Sequence, residues 1–122
     1  MRDDVPKLAD RLFDYAVEVV RVVNALPRTT AGRHVGGQLL RSGTSGAANY
    51  EEACAAESRA DFIHKLRIAL KELRESRFWL RLIKHAELKS GVDCSSALSE
   101  AEQLCNIIAQ SIITAKSNAP SR

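Results

Sequence analysis

Residues 57–85 read ESRADFIHKLRIALKELRESRFWLRLIKH and are the most informative stretch of the chain. Its apolar and small residues recur at alternating intervals of four and three, which keeps them on one side of an α-helix. They are Phe62, Leu66, Ala69, Leu73, Ser76, Leu80 and Ile83. A series of basic residues falls on a different side, because successive residues turn by about 100° around a helix. The apolar series predicts a helix that packs in a bundle, and the basic series indicates an anionic partner.

The length and composition favour a single helical domain. The chain has 122 residues, of which 45% are hydrophobic, so it can bury a core. Only 5% are aromatic, which favours packed helices over a β-sandwich. The sequence contains no uninterrupted apolar run of about 18 residues, which a membrane-spanning helix needs. The first residues, MRDDVPKLAD, lack the apolar core of a signal peptide. We therefore expect a cytoplasmic protein with no membrane partner.

The first helix is predicted from about Pro6 to Leu26, with Asp3 or Asp4 as its cap. It carries two apolar series. The first comprises Leu8, Leu12, Tyr15, Val19, Val22 and Leu26, and the second comprises Phe13, Val17 and Val20. A single bundle needs only one such series on each helix. The second series therefore predicts that this helix is also buried against another subunit.

The second helix is predicted from about Gly32 to Cys54, although it contains many glycines. Each interior glycine costs about 0.5–1 kcal/mol relative to alanine, so the helix must gain stability from close packing. Its expected contact face comprises Gly36, Leu39, Gly43, Gly46 and Tyr50. The alternative is a break near residues 42–46 that would divide the segment into two shorter helices.

Two further helices complete the predicted fold. Ser58 should cap the third helix, which would run to about Glu87. Ser95 or Ser96 should cap the fourth, which would run to about Lys116. The apolar series of the fourth helix comprises Leu98, Ala101, Cys105, Ile108, Ile112 and Ala115. Short connections favour antiparallel neighbours. We therefore predict an all-α, antiparallel up-down-up-down four-helix bundle, as one domain over residues 1–122 with a core at about 6–116.

The sequence offers little for cofactor or metal chemistry. The Gly-Thr-Ser-Gly run at 43–46 lacks the GK[ST] element of a phosphate-binding loop. His34, His64 and His85 form no HExxH or ExxH pair on one helix. The three cysteines form no CxxC pair and are expected to be buried thiols; they are Cys54, Cys94 and Cys105. We expect no metal and no cofactor.

One motif leaves an enzymatic alternative open. Arg59 and His64 have the R-x4-H spacing of HEPN-type ribonucleases, which are also helical bundles and cleave RNA without a metal. The spacing alone is weak evidence, because two such residues in a basic helix match it easily. Our expectation is that the protein is not an enzyme.

The basic residues of the third helix are the best candidate for a binding site. Residues 57–89 carry a net charge of +4, whereas residues 1–56 are neutral and residues 90–122 carry −1. We call six of these cations the basic stripe: Arg67, Lys71, Arg74, Arg77, Arg81 and Lys84. Phe78 lies among them and has a ring that can stack on a base. The stripe with Phe78 predicts an RNA- or DNA-binding surface.

A structural role for the same cations is the alternative. Lys71 has Glu75 at the spacing of a helical ion pair. The first helix offers Asp10, Asp14 and Glu18 on one side, and these acids could bridge to the arginines within one subunit or between subunits. The stripe would then hold a scaffold together without binding nucleic acid.

Two stretches carry a resemblance to a known family. Residues 58–88, SRADFIHKLRIALKELRESRFWLRLIKHAEL, closely resemble the signature third helix of the "four helix bundle protein" family, which includes proteins encoded by intervening sequences within 23S ribosomal RNA genes. Residues 38–53, QLLRSGTSGAANYEEA, resemble the family's second-helix motif, with Gly46 where an isoleucine is common. LPRTTAGRHVGGQLLRS, residues 26–42, also matches in type, and the similarity covers about residues 8–115.

The resemblance implies an antiparallel four-helix bundle that assembles into a ring, commonly a homopentamer. It also implies relatives that act beside diversity-generating reverse transcriptases and bind the polymerase and nucleic acid through a basic surface. It supplies no catalytic residue for this chain.

Overall fold

The molecule is a four-helix bundle. The structure is a computed structural model that describes residues 7–88 and 93–118. Its helices are α1 (Leu8–Asn24), α2 (Thr30–Cys54), α3 (Arg59–Ala86) and α4 (Ser95–Ser117). They contain 86% of the described residues, among which no strand occurs. Each helix packs on its neighbours in the chain, and α4 returns to α1. The predicted all-α, antiparallel bundle is confirmed.

The predicted apolar series form the core. On α3, all members from Leu66 to Ile83 are buried, and Phe62 is half-buried. The first series of α1 is buried from Leu12 to Leu26, and that of α4 from Leu98 to Ala115. All four helices therefore contribute to one hydrophobic cluster.

The helix ends agree only in part with the predictions. The Ser58 side chain caps α3 by accepting a hydrogen bond of 3.0 Å from the Asp61 N–H. Glu87, at a left-handed φ of 52°, ends this helix. The predicted cap of α4 is wrong, because the residue at the cap position is Cys94 and the helix begins at Ser95. Asp93 instead accepts a bond of 2.9 Å from the Ser95 N–H.

The other two helix starts differ as well. Thr29 caps α2 by accepting a bond of 3.0 Å from the Gly32 N–H, so the helix begins at Thr30. Lys7 precedes α1 and makes no side-chain cap bond. The proposed caps Asp3 and Asp4, together with Pro6, lie outside the described residues.

α2 is one continuous helix through residues 42–46, so the alternative with a break is wrong. Two of its glycines allow different helices to approach. A Cβ built on Gly43 would lie 2.7 Å from Cγ1 of Val19 on α1. A Cβ on Gly46 would lie 3.0 Å from Cγ of Leu73 on α3. The predicted glycine face is confirmed, and it holds α2 between α1 and α3.

A buried hydrogen bond joins α1 to α3 across the core. The Tyr15 hydroxyl and Ser76 Oγ lie 2.8 Å apart, and Ser76 Oγ also donates to the Leu73 carbonyl at 2.8 Å. Both residues are almost fully buried. Burial raises the pKa of Tyr15 well above its usual value, more than the bond to Ser76 lowers it. The pair therefore satisfies the polar groups that these helices bring into the core.

Candidate nucleic-acid interface

α3 presents the basic stripe on its outer side, along its boundary with α4. Five of the six cations are exposed and Arg77 is half-buried. The stripe extends for about 26 Å, because a helix rises about 1.5 Å per residue. Phe78 lies within it and is 51% exposed. All seven residues that the sequence predicted for this surface therefore lie on the outer side of α3, spread over about 140° of its circumference.

A shallow groove between α3 and α4 lies beside the first half of the stripe. Arg67, Lys71 and Arg74 line it on α3. The remaining lining residues are apolar: Leu70, Ala109, Ile112 and Ile113. Arg77 and Arg74 also lie close enough to the buried thiol of Cys105 to affect its pKa. Burial raises that pKa, and the two positive charges offset part of the rise. Arg67, Lys71, Arg74 and Arg77 therefore lie along the junction of α3 and α4.

None of the six stripe cations forms an ion pair with a carboxylate in the part of the chain that the structure describes. The predicted Lys71–Glu75 pair is absent. Glu75 accepts instead from Arg41 of α2 and, at 3.1 Å, from Trp79 Nε1. Arg41 also binds Glu72 at 3.0 Å. Glu72 and Glu75 are thus turned towards α2, and neither of them pairs with a cation of the stripe.

The acids of α1 do not reach the stripe within one subunit. Asp14 and Glu18 line a different groove, between α1 and α4. Glu100 lies in the same groove and pairs with Arg11 at 2.9 Å. Asp10 forms no ion pair among residues 7–88 and 93–118. The intrasubunit form of the bridging hypothesis is therefore wrong, whereas bridges between subunits stay a prediction.

Phe78 has a support that the sequence interpretation missed. Its ring meets the Trp79 ring edge to face, with centroids 4.9 Å apart and planes at 77°. Trp79 is half-buried and also meets His34 of α2 at 5.9 Å and 83°. The sequence does carry a signal that Trp79 is held in place. Glu75 precedes Trp79 by four residues, which places a hydrogen-bond acceptor beside the indole N–H.

The R-x4-H motif does not form a joint site. Arg59 Nη1 donates to the Ala115 carbonyl at 3.1 Å, near the end of α4. His64 is exposed. Residues five apart on a helix point about 140° away from each other, so the two side chains serve different surfaces.

Other candidate chemistry is sparse. No group of three or more His, Cys, Asp or Glu side chains suited to a metal occurs in the described part of the chain. Cys94 and Cys105 are buried as predicted, but Cys54 is exposed, contrary to the prediction, because it lies at the last turn of α2. Among the described helices, none is long and apolar enough to cross a membrane.

The second apolar series of α1 lies on the surface of the single chain. Phe13 is 63% exposed and Val20 is 37% exposed, while Val17 is half-buried. All three line a groove against α2, with Ala47 and Ala48 on its other side. We call these five residues the α1/α2 patch. A large part of its apolar surface has no cover within the described chain.

Comparison with known proteins places the chain in a family. The model of the 23S rRNA-intervening sequence protein family matches residues 7–110. A crystal structure of a protein of unknown function from the S23 ribosomal protein family of Bacteroides thetaiotaomicron VPI-5482 is 35% identical, with a TM-score of 0.79. The similarity covers 87% of this chain and 98% of that one. The search of curated proteins found no match. With its fold and its family model in agreement, the chain belongs to the 23S rRNA-intervening sequence protein family.

Proposed function

We propose that this protein is a non-enzymatic nucleic-acid-binding protein that contacts RNA or DNA through the basic stripe and Phe78. The observation that carries the proposal is the row of six cations on α3 without an ion-pair partner among the described residues. Surface cations that are not neutralised by nearby acids attract phosphates and release counterions when they bind them. Binding of this kind depends on the phosphate backbone and is largely independent of base sequence.

A ring-shaped homo-oligomer is the second part of the proposal. The α1/α2 patch supports it, since exposed apolar patches mark contact surfaces when they are contiguous. The number five comes only from the family resemblance. Repeating the stripe around a ring would add avidity, because several weak phosphate-binding faces would act on one strand.

The central experiment reverses charge in the stripe. Arg74→Glu with Arg81→Glu should weaken RNA binding at low salt by at least about 10-fold, as two attractive contacts become repulsive. The matched control is Arg28→Glu with Arg33→Glu, which changes net charge equally at two exposed arginines outside the stripe. Fluorescence anisotropy measures affinity, and light scattering measures the mass of each variant. Equal binding by the two double variants, or no binding by the unmodified protein, would contradict the proposal.

The scaffold alternative predicts a different result for the same variant. If the stripe bridges to acids of a neighbouring subunit, Arg74→Glu with Arg81→Glu should dissociate the oligomer. Adding Asp14→Arg with Glu18→Arg should then restore its mass, because the charges of both partners have been exchanged. An oligomer that is intact in the stripe variant excludes this role for Arg74 and Arg81.

Assembly itself is tested on the α1/α2 patch. The unmodified protein should have a mass several times the 13.4 kDa of one chain at micromolar concentration. Phe13→Glu with Val20→Glu should lower that mass, because charges on the patch oppose its burial. A mass of 13.4 kDa for the unmodified protein would refute oligomerisation.

The absence of catalysis is tested on RNA. The purified protein should leave a labelled RNA intact over hours, with or without Mg²⁺. Cleavage that is lost in both Arg59→Ala and His64→Ala would instead establish the ribonuclease alternative.

A further inference from the structure

We infer that the stripe takes single-stranded nucleic acid, with one unpaired base stacked on the ring of Phe78. The inference rests on the proposed nucleic-acid binding and specifies its ligand. Phe78 lies near the middle of the stripe, with Arg74 four residues before it and Arg81 three residues after it. Residues at these spacings are neighbours on a helix surface. A strand held by both arginines would therefore pass directly over the ring.

The ring is held in place before any ligand arrives. Trp79 meets it edge to face at 4.9 Å, and Trp79 is itself fixed by its hydrogen bond of 3.1 Å to Glu75. Glu75 is anchored in turn by Arg41 of α2. A side chain that is already ordered loses little rotational freedom on binding. This chain of contacts makes Phe78 a prepared stacking surface at the centre of the charge.

The geometry favours unpaired bases over a duplex. Bases within a duplex are stacked on each other and present only their edges in the grooves, so a side chain reaches a base face only by unstacking neighbouring bases, which costs free energy. Unpaired bases expose a face to an aromatic ring, whatever their identity. The phosphates flanking such a base carry the charge that Arg74 and Arg81 would neutralise. A single strand therefore uses both features of the stripe, whereas a duplex uses only the charge.

Two substitutions at Phe78 separate stacking from apolar bulk. Phe78→Leu keeps an apolar side chain and removes the aromatic face, whereas Phe78→Trp keeps a face. The probes are a fluorescein-labelled RNA of about 20 nucleotides and its blunt duplex. Leu82→Ala is the matched control, since Leu82 is 37% exposed one turn further along α3. Light scattering confirms that every variant keeps the mass of the unmodified protein.

Phe78→Leu should bind the single strand at least about five-fold more weakly, which is the lower end of measured base–aromatic stacking. Its affinity for the duplex should not change, and Phe78→Trp and Leu82→Ala should bind both probes as the unmodified protein does. Unchanged single-strand binding by Phe78→Leu, or tighter binding of the duplex by the unmodified protein, would overturn the inference and leave the charge-based function standing. If the unmodified protein binds neither probe, the inference and the proposed function fail together.

Discussion

The two longest helices, α2 and α3, contribute to the bundle in opposite ways. α2 has 25 residues and buries glycines, so its backbone lies close to both neighbours. α3 has 28 residues and buries leucines, while its outer side carries cations without ion-pair partners among the described residues. The position of α2 is therefore determined by how closely its glycines let the neighbouring helices approach. α3 combines a buried apolar series with a charged surface that the fold itself does not neutralise.

The ion pairs between α2 and α3 explain why the stripe is not neutralised. Arg41 of α2 binds two acids of α3, Glu72 and Glu75, and so neutralises the negative charge that would otherwise lie beside the stripe. An isolated helix would be expected to pair Lys71 with Glu75 at the i,i+4 spacing. In the bundle Glu75 pairs with Arg41 of α2 instead, so Lys71 stays without an ion-pair partner among the described residues.

The largest effect is expected from salt on RNA binding by α3. If about four phosphates are neutralised, affinity for a single strand should fall about 50-fold between about 50 and about 200 mM NaCl. A plot of log affinity against log salt concentration from anisotropy titrations measures this slope. Arg74→Ala should reduce the slope by about 0.7, which corresponds to one phosphate. A flat plot would contradict the phosphate contacts.

The second prediction concerns Ser76, the one polar member of the apolar series of α3, which is fully buried. Ser76→Ala leaves the Tyr15 hydroxyl without its partner inside the core, which should lower the free energy of unfolding by about 1–3 kcal/mol. Tyr15→Phe should cost less, because Ser76 keeps its bond to the Leu73 carbonyl. The double variant should be more stable than the sum of the single effects predicts. Urea titrations at one protein concentration provide the comparison.

The same pair predicts a dependence on alkaline pH. Because burial raises the pKa of Tyr15, the folded chain retains this proton where the unfolded chain, with a pKa of about 10, releases it. Tyr15 therefore contributes its stabilisation fully below about pH 10 and loses it as the pH rises further. The stability advantage of the unmodified protein over Tyr15→Phe should shrink above about pH 10. A constant difference would show that Tyr15 ionises equally in both states.

The third prediction concerns the close approach of α2. Gly43→Ala places a Cβ against the stiff, fully buried side chain of Val19 and should lower the free energy of unfolding by about 1–2 kcal/mol. Gly37→Ala is the matched control, because nothing lies within 4 Å of its added Cβ. The control should gain about 0.5–1 kcal/mol from higher helix propensity. Val19→Ala in the Gly43→Ala background should recover part of the loss.

Periodicity predicted the fold well and the pairing of charges poorly. The four-three series of α3 identified buried positions from Leu66 to Ile83, because a helical repeat alone determines which residues share a face. It could not assign Glu75 to Arg41, since that contact depends on how two helices lie against each other. The same limitation applies to the contact of Trp79 with His34, which also joins α3 to α2. Cys54 was misassigned because composition alone favours burial for cysteine, whereas its place at the end of α2 leaves it exposed.

The smallest effect is expected where the two helices meet through charge. Arg41→Ala removes both bonds to Glu72 and Glu75 and should lower the free energy of unfolding by about 0.5–1 kcal/mol, because its side chain is 49% exposed and solvent screens the pair. Lys71→Ala, on the unpaired side of α3, should stay within about 0.5 kcal/mol of the unmodified protein. High salt should reduce the Arg41 effect, since screening weakens surface ion pairs. Lys71→Ala should nevertheless weaken RNA binding, because it removes one cation of the stripe. If Lys71→Ala lost as much stability as Arg41→Ala and kept its RNA affinity, the two sides of α3 would not have separate roles.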